Sequence, residues 1–280
     1  MADNNLSEVR RLINQGWEEV AAEYAKDRLG IFEQFAGRLL DLLHLSPGNT
    51  VLDVGTGTGV VAFQAAATWV GSEGRVIGSD IATAMVSLAK QAAEEQGAVN
   101  VAFCQMDAEQ LSFTDASFDT VICTFSLFQF LDMGRALGEM RRVLKPGGRL
   151  GLANWGPGYF SPIALLQRDL FREFGLRALL PNPIAFKPAK LETLLGEAGF
   201  TAVELIAETD EIWFEDPEEA WAFNMDMGPF PVMLQRQLST EQRRELARQF
   251  VVMLEKLMTE QGIRCTFHPL YALAEKGGAD

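Results

Sequence analysis

Three glycines on alternate positions, Gly55, Gly57 and Gly59, follow directly on the run Thr50-Val-Leu-Asp-Val54. A short apolar run rich in β-branched residues reads as a buried strand. The glycines permit a backbone turn that other residues resist, and they leave room for a ligand against the main chain. The helical pattern from Val60 to about Val70 would present its N-terminal N–H groups to that ligand. Strand, glycine turn and helix together describe a nucleotide-type cofactor site at the head of an α/β sheet. Dinucleotide-binding turns usually read G-x-G-x-x-G, whereas here the third glycine falls one position early and Val60 stands in its place. The turn alone is a weak signal, shared with nicotinamide and flavin enzymes and compatible with an ordinary tight turn.

Four later features sharpen it. Residues Arg75-Val-Ile-Gly-Ser-Asp80 read as a second strand ending in a carboxylate. An acid at that tip accepts hydrogen bonds from ribose hydroxyls, which suits NAD and S-adenosylmethionine equally. A third strand at about Val99 to Gln105 leads to Asp107-Ala-Glu-Gln-Leu-Ser-Phe113, where an acid can meet the exocyclic amine of an adenine and the next N–H a ring nitrogen. Ser117-Phe-Asp-Thr-Val-Ile-Cys-Thr-Phe125 reads as a fourth strand. In Leu144-Lys-Pro-Gly-Gly-Arg-Leu150 a helix is stopped by proline, turned by two glycines and followed by a strand from Leu150 to Trp155.

In this order and spacing the blocks resemble the class I S-adenosylmethionine-dependent methyltransferases, in particular the branch that includes the ubiquinone/menaquinone biosynthesis C-methyltransferases. The resemblance covers roughly residues 17 to 155 and, more weakly, 188 to 206. It implies S-adenosylmethionine as cofactor and a role for individual positions. Gly55, Thr56 and Gly57 would line the methionine end, with Asp53 orienting its ammonium directly or through water. Thr58 falls where the quinone-type enzymes place a cofactor-contacting threonine. Asp80 would take the ribose hydroxyls, Ile81 and Met85 would pack on the adenine face, and Asp107 and Ala108 would read the adenine edge. Thr124, Phe125 and Ser126 would lie beside the sulfonium, and Tyr24 matches an N-terminal aromatic that closes over the cofactor.

A chain of 280 residues, 48% hydrophobic, can bury a large core and suits one α/β domain with insertions. No charged-then-apolar leader or bilayer-length apolar stretch is visible, so a cytoplasmic location without stable membrane insertion is the expectation. Three scattered cysteines form neither a disulfide framework nor a metal knuckle, and no metal is expected. With 38 acidic against 24 basic residues the formal charge is −14. Nucleic acids are held largely through Lys and Arg contacts to phosphate, and no aromatic residues interleave with the basic clusters as a base-stacking platform requires. A nucleic-acid partner is therefore disfavoured.

The alternation of strands and helices from 50 to 155 is the pattern of a doubly wound parallel sheet. The expected fold is α/β: a Rossmann-like seven-stranded sheet with helical lid insertions. The resemblance implies that its last strand runs antiparallel. Residues 1–48 would form a helical cap and 49–155 the cofactor-binding core. Residues 188–214 and 263–280 would supply the rest of the sheet, with single strands at about Thr201 to Phe214 and Arg264 to Ala274. Residues 156–187 and 215–262 are surplus, and hold helices read at Ile163 to Leu180 and Thr240 to Glu260. Both should leave the C-terminal edge of the sheet, where ligands bind, and so can form a lid.

The lid's aromatic and methionine content points to a small, largely apolar acceptor, with Tyr159, Trp221, Phe223, Met227 and Phe230 as candidate pocket residues; the alternative for each is that it packs the lid onto the domain. Methyl transfer needs alignment above all, and a general base only where the acceptor must lose a proton. His44 and His268 both read as structural, and no catalytic base is assigned. Two other readings remain: a methyltransferase of RNA or protein, and a cofactor-binding relative without catalysis. The sequence leaves the oligomeric state open.

Overall fold

The computed structural model describes residues 2–25, 30–176, 183–226 and 228–278, with the side chains of 2–7 and 226 outside the description. Helices α1 (Ala2–Tyr24) and α2 (Ile31–Leu43) precede the sheet. Apolar residues at Ile31, Phe35, Leu39 and Leu43 recur every four positions along α2 and are buried, the spacing that puts one helix face on a core.

Strand β1 (Thr50–Val54) is followed by α3 (Val60–Gln64), which runs into a π-helical turn, Ala65–Val70. Then come β2 (Arg75–Asp80), α4 (Thr83–Gln96), β3 (Val101–Gln105), β4 (Phe118–Thr124), α5 (Met133–Val143) and β5 (Leu144–Trp155). The remainder comprises α6 (Ile163–Glu173), α7 (Pro188–Glu197), β6 (Thr201–Ala207), β7 (Asp210–Phe214), α8 (Pro217–Asp226), α9 (Pro229–Gln235), α10 (Thr240–Glu255), β8 (Ile263–Phe267) and β9 (Pro269–Glu275).

Seven strands form one sheet in the order β3-β2-β1-β4-β5-β9-β6. The first five are parallel to one another, and β9 lies antiparallel between β5 and β6. The strand order reverses at β1, which pairs with β2 on one side and β4 on the other. That reversal opens a crevice at the C-terminal strand ends. β1 lies in the interior of the sheet with Val51, Leu52 and Val54 buried, which is why its sequence is apolar on both faces.

Several expected boundaries move. The helix before Pro146 already ends at Val143, because a residue preceding proline is driven out of helical conformation. β5 starts at Leu144, pairs with Phe118, and shifts register before Thr120 pairs with Arg149. The helix at Ile163 ends at Glu173, with Gly175 at φ 73° turning the chain, and residues 177–182 lie outside the described set. The last long helix, α10, ends at Glu255 rather than Glu260.

The sixth and seventh strands each divide in two. β6 and β9 belong to the main sheet, whereas β7 and β8 form a separate two-stranded ribbon, in which Thr266 of β8 also bridges to Ser161. The break in the second case falls at His268-Pro269, and proline is accommodated at the first position of β9. There Pro269 is opposite Trp155, the last residue of β5. Beyond that edge no strand of the main sheet remains to pair with, so the two continuations form a ribbon that carries the lid helices α8, α9 and α10.

Candidate functional site

The backbone of the glycine turn is set by Asp80 and Ser79. Gly55 and Thr56 donate their N–H groups to the Ser79 carbonyl, and Gly57 donates to Asp80 Oδ2 at 2.9 Å. Gly55 has φ 72°, and a Cβ there would stand 2.5 Å from Ser126 Oγ, so both conformation and space demand glycine. Gly57 has φ 55°, and a Cβ on it would meet no protein atom within 4 Å, which leaves an open cradle above the turn. The other Asp80 oxygen accepts the Ala82 N–H at 2.9 Å. Two backbone donors therefore fix this carboxylate at the end of β2, and burial raises its pKa.

A cavity of about 1210 Å³ opens over this turn. Thirteen of the fourteen expected cofactor residues line it: Tyr24, Gly55, Thr56, Gly57, Thr58, Asp80, Ile81, Met85, Asp107, Ala108, Thr124, Phe125 and Ser126. Asp53 is the exception. It is wholly buried beneath the turn, where Thr56 Oγ1 donates to its Oδ2 at 2.6 Å and its Oδ1 has no partner among the described residues. Burial pushes its pKa up to about 7, the Thr56 hydrogen bond opposing the shift. An unpaired carboxylate oxygen under a glycine cradle fits a ligand that carries an ammonium group, acting through Thr56 rather than by direct contact.

Helix α1 closes the cavity with one face. Arg10, Ile13, Asn14, Trp17 and Tyr24 line it, and this spacing of three, four and seven is one stripe of a helix. Arg10 pairs with Asp107 at 3.0 Å and with Glu109 at 2.5 Å. Glu109 in turn accepts the N–H groups of Leu131 and Asp132, at 2.9 and 3.2 Å, ordering the turn that begins α5. Glu18 accepts the Thr83 and Ala84 N–H groups and so caps α4 from another helix. Trp17 Nε1 donates to Gln129 Oε1. Arg10, Asn14, Trp17, Glu109 and Gln129 were not singled out from the sequence. The periodic stripe from Arg10 to Tyr24 was the available signal for three of them; Glu109 and Gln129 gave none.

A second cavity, about 940 Å³, adjoins the first and shares Trp17, Tyr24, Phe32, Phe125 and Gln129 with it. Phe125 sits on this seam at φ 49°, a conformation that costs a non-glycine residue about 1–3 kcal/mol and that clusters at functional sites. Its ring lies 4.2 Å from that of Trp155 and 5.7 Å from that of Phe32. The second cavity is otherwise lined by aromatic and aliphatic side chains, together with Gln167 and Asn224, and no charged residue is among its described lining.

Of the candidate acceptor residues, Tyr159 and Phe230 line this second cavity, and burial raises the Tyr159 pKa. Trp221 and Phe223 do not. Trp221 packs on Phe250 at 4.9 Å between ring centroids, and Phe223 packs among Phe160, Phe214 and Phe267 at 5.4, 5.4 and 6.3 Å. Met227 lies outside the described residues. His268 lines neither cavity; its Nδ1 is 3.2 Å from Thr209 Oγ1 at the junction of β8 and β9.

Comparison with known proteins agrees with this geometry. Residues 45–171 match a methyltransferase-domain family. Over 178 residues the chain is 34% identical to the demethylmenaquinone methyltransferase of Thermus thermophilus, an overlap that covers 59% of this chain and 80% of that protein. This chain belongs to the class I S-adenosylmethionine-dependent methyltransferases. S-adenosylmethionine is accordingly its cofactor. The methyltransferase is also 35% identical over 150 residues to an aklanonic acid methyltransferase of a Streptomyces species, covering 53% of this chain and 67% of that one. A crystal structure from Bacillus halodurans superposes with a TM-score of 0.61 at 25% identity, covering 86% of this chain and 98% of the other. No helix among the described residues is long and apolar enough to cross a membrane.

Proposed function

We propose that this methyltransferase acts on a small, largely apolar ring compound held in the second cavity. The observation that carries the reading is the shared wall between the two cavities. Trp17, Tyr24, Phe32, Phe125 and Gln129 border both, so ligands in the two cavities would meet at the Phe125 seam. Bound S-adenosylmethionine supplies the methyl group on a sulfonium. The protein's own task is to align acceptor and methyl and to keep water away, which an aromatic, uncharged wall does. The relatives named for demethylmenaquinone and aklanonic acid are consistent with such an acceptor, and a formal charge of −14 speaks against a nucleic-acid one.

In this reading the first cavity holds the cofactor. Asp80 accepts from the ribose hydroxyls, Ile81 and Met85 flank the adenine, and Asp107 and Ala108 meet its edge. Gly55, Thr56, Gly57 and Thr58 receive the methionine end above the Asp53 charge. Thr124, Phe125 and Ser126 border the sulfonium, and Tyr24 closes over it from the end of α1. Asp107 meets the cofactor while also paired with Arg10, so helix α1 and the adenine edge are ordered together.

The test is turnover to S-adenosylhomocysteine with a panel of hydroxylated naphthalenes and anthracenes, beside transfer RNA and a basic peptide. Turnover with ring compounds and not with the polymers is expected. Efficient, salt-sensitive methylation of RNA or peptide with none of the ring compounds would overturn the reading.

A further inference from the structure

Three side-chain amides face the second cavity, and they differ in one respect. Gln129 is fully engaged: its Oε1 accepts from Trp17 and its Nε2 donates to the Phe125 carbonyl at 3.3 Å. Asn224, on α8, and Gln167, on α6, each have a buried amide nitrogen with no hydrogen-bond partner among the described residues. Asn224 is only 3% exposed, so water does not compensate it in bulk. A buried polar group without a partner is costly, and native structures keep very few. Both unpaired groups belong to lid helices that enter after β5 and after β7, and both border one cavity whose described lining is otherwise mostly aromatic and aliphatic, with the Tyr159 hydroxyl as a further polar group.

We infer that Asn224 and Gln167 form a two-donor clamp for a ring-borne oxygen of the acceptor, either a carbonyl or a phenolate. The inference rests on the second cavity being the acceptor site. Its chemistry follows from what the cavity offers. Aromatic walls bind a ring but do not orient it within its plane, whereas two donors from different helices fix one edge of the ring and leave the opposite edge for the Phe125 seam. The clamp also explains selectivity: an acceptor lacking the oxygen leaves both amides unpaired, and a site built to hydrogen-bond a substrate oxygen rejects analogues without it far more strongly than an apolar pocket rejects a missing methylene. No histidine, carboxylate or lysine is among the described lining residues, so beside the Tyr159 hydroxyl the two amides are the polar groups that can hold the acceptor's oxygen, whose negative charge is discharged as the ring attacks the sulfonium methyl.

The probes are 1-tetralone and its oxygen-free analogue tetralin, titrated calorimetrically into full-length protein saturated with S-adenosylhomocysteine. Wild type should bind tetralone about tenfold or more tightly than tetralin. Asn224→Leu and Gln167→Met keep the volume and remove the donor, and each should cut that ratio by about threefold to tenfold while S-adenosylhomocysteine affinity stays within about twofold. Asn224→Leu should also melt at or above the wild-type temperature, because an apolar group replaces a buried unpaired one; Gln167→Met, on a different helix, carries the test should Asn224→Leu fail to fold. Phe230→Trp, which fills the cavity, should exclude both probes. Probes that bind Phe230→Trp unhindered lie elsewhere, and the acceptor-site reading itself then fails. Probes excluded by Phe230→Trp whose ratio survives both amide substitutions overturn the clamp alone, as does wild type that binds the two probes equally.

Discussion

Trp17 donates its indole N–H to the Gln129 side-chain oxygen across the seam between the two cavities, although the residues lie 112 positions apart in the chain. This bond ties helix α1, which lines the first cavity, to the turn after β4, which borders both. Gln129 passes the connection on to the Phe125 carbonyl. The α1 wall of the first cavity and the Phe125 seam of the second are therefore parts of one hydrogen-bonded unit.

That unit can be tested directly. Trp17→Phe keeps an aromatic ring and removes the donor, leaving Gln129 Oε1 unpaired at a cost of about 1–3 kcal/mol. The melting temperature should fall by about 2–4 °C per kcal/mol lost, and turnover measured where the variant is fully folded should still fall about fivefold or more. In a double-mutant cycle with Gln129→Leu the losses should be less than additive, because both changes remove the same bond. Strictly additive losses would mean that the two side chains act separately.

Asp80 is expected to dominate cofactor affinity. Its carboxylate is fixed by the Gly57 and Ala82 N–H groups, both at 2.9 Å, with lone pairs remaining for a ligand. Asp80→Ala removes charge-assisted hydrogen bonds worth about 1.5–3 kcal/mol each and also releases the turn, so S-adenosylhomocysteine affinity should drop at least about tenfold to a hundredfold. Calorimetry on both proteins checks this, and equal affinities would remove the ribose contact from the account. Asp80→Asn should fall between the two, since it keeps an acceptor oxygen but loses the charge.

Asp53 gives the site a pH dependence. Its pKa rises from the ordinary 3.8 to about 7 through burial. Between those values the folded chain holds a proton that the unfolded chain has released, so this group lowers stability as pH rises through the window and adds nothing further above about 7. Cofactor binding should respond in the opposite sense, since a ligand ammonium favours the carboxylate. S-adenosylhomocysteine should bind more tightly as pH rises toward 7, by at most about tenfold per unit, and level off beyond. Asp53→Asn should bind more weakly and show a shallower profile over the same range, the remaining slope coming from Asp80, whose pKa burial also raises. A wild-type profile as shallow as the variant's would show that the charge does not reach the ligand.

What the sequence disclosed about the site was whatever lay close together along the chain. The glycine turn, Asp80 and Asp107 each stand at the tip of a consecutive strand, so their convergence follows from strand order alone. Arg10 reaches Asp107 and Glu109, and Trp17 reaches Gln129, only after α1 folds back over the sheet, and no local pattern states those pairings. The divided strands were hidden for another reason. Thr201 to Phe214 and Arg264 to Ala274 read as continuous extended segments, and only the end of β5 at Trp155 determines where each leaves the main sheet. Aromatic content marked the lid as rich in candidate pocket residues but could not say which face of α8 they take. Neighbouring positions on a helix point about 100° apart, which is how Phe223 packs into the core while Asn224 borders the cavity.

The two faces of the lid should separate cleanly on truncation. Phe223 is buried among Phe160, Phe214 and Phe267, and Trp221 rests on Phe250. Neither lines the second cavity. Phe223→Ala removes a buried ring and should cost about 3–5 kcal/mol of stability, with Trp221→Ala costing less because Trp221 is only partly buried. Where the protein is kept folded, by cooling or by bound S-adenosylhomocysteine, turnover should remain within a few fold of wild type. Phe230→Ala changes a partly buried residue that does line the cavity, so its thermal loss should be smaller. The area it gives to the acceptor is worth about 1.5–3 kcal/mol at most, which would raise the acceptor KM roughly tenfold to a hundredfold. Cofactor affinity should stay within about twofold, because Phe230 does not line the cofactor cavity. Melting curves and steady-state kinetics on the three variants decide the matter. Normal acceptor kinetics in folded Phe230→Ala, or a selective rise in acceptor KM for folded Phe223→Ala, would reverse the assignment of packing and pocket within the lid.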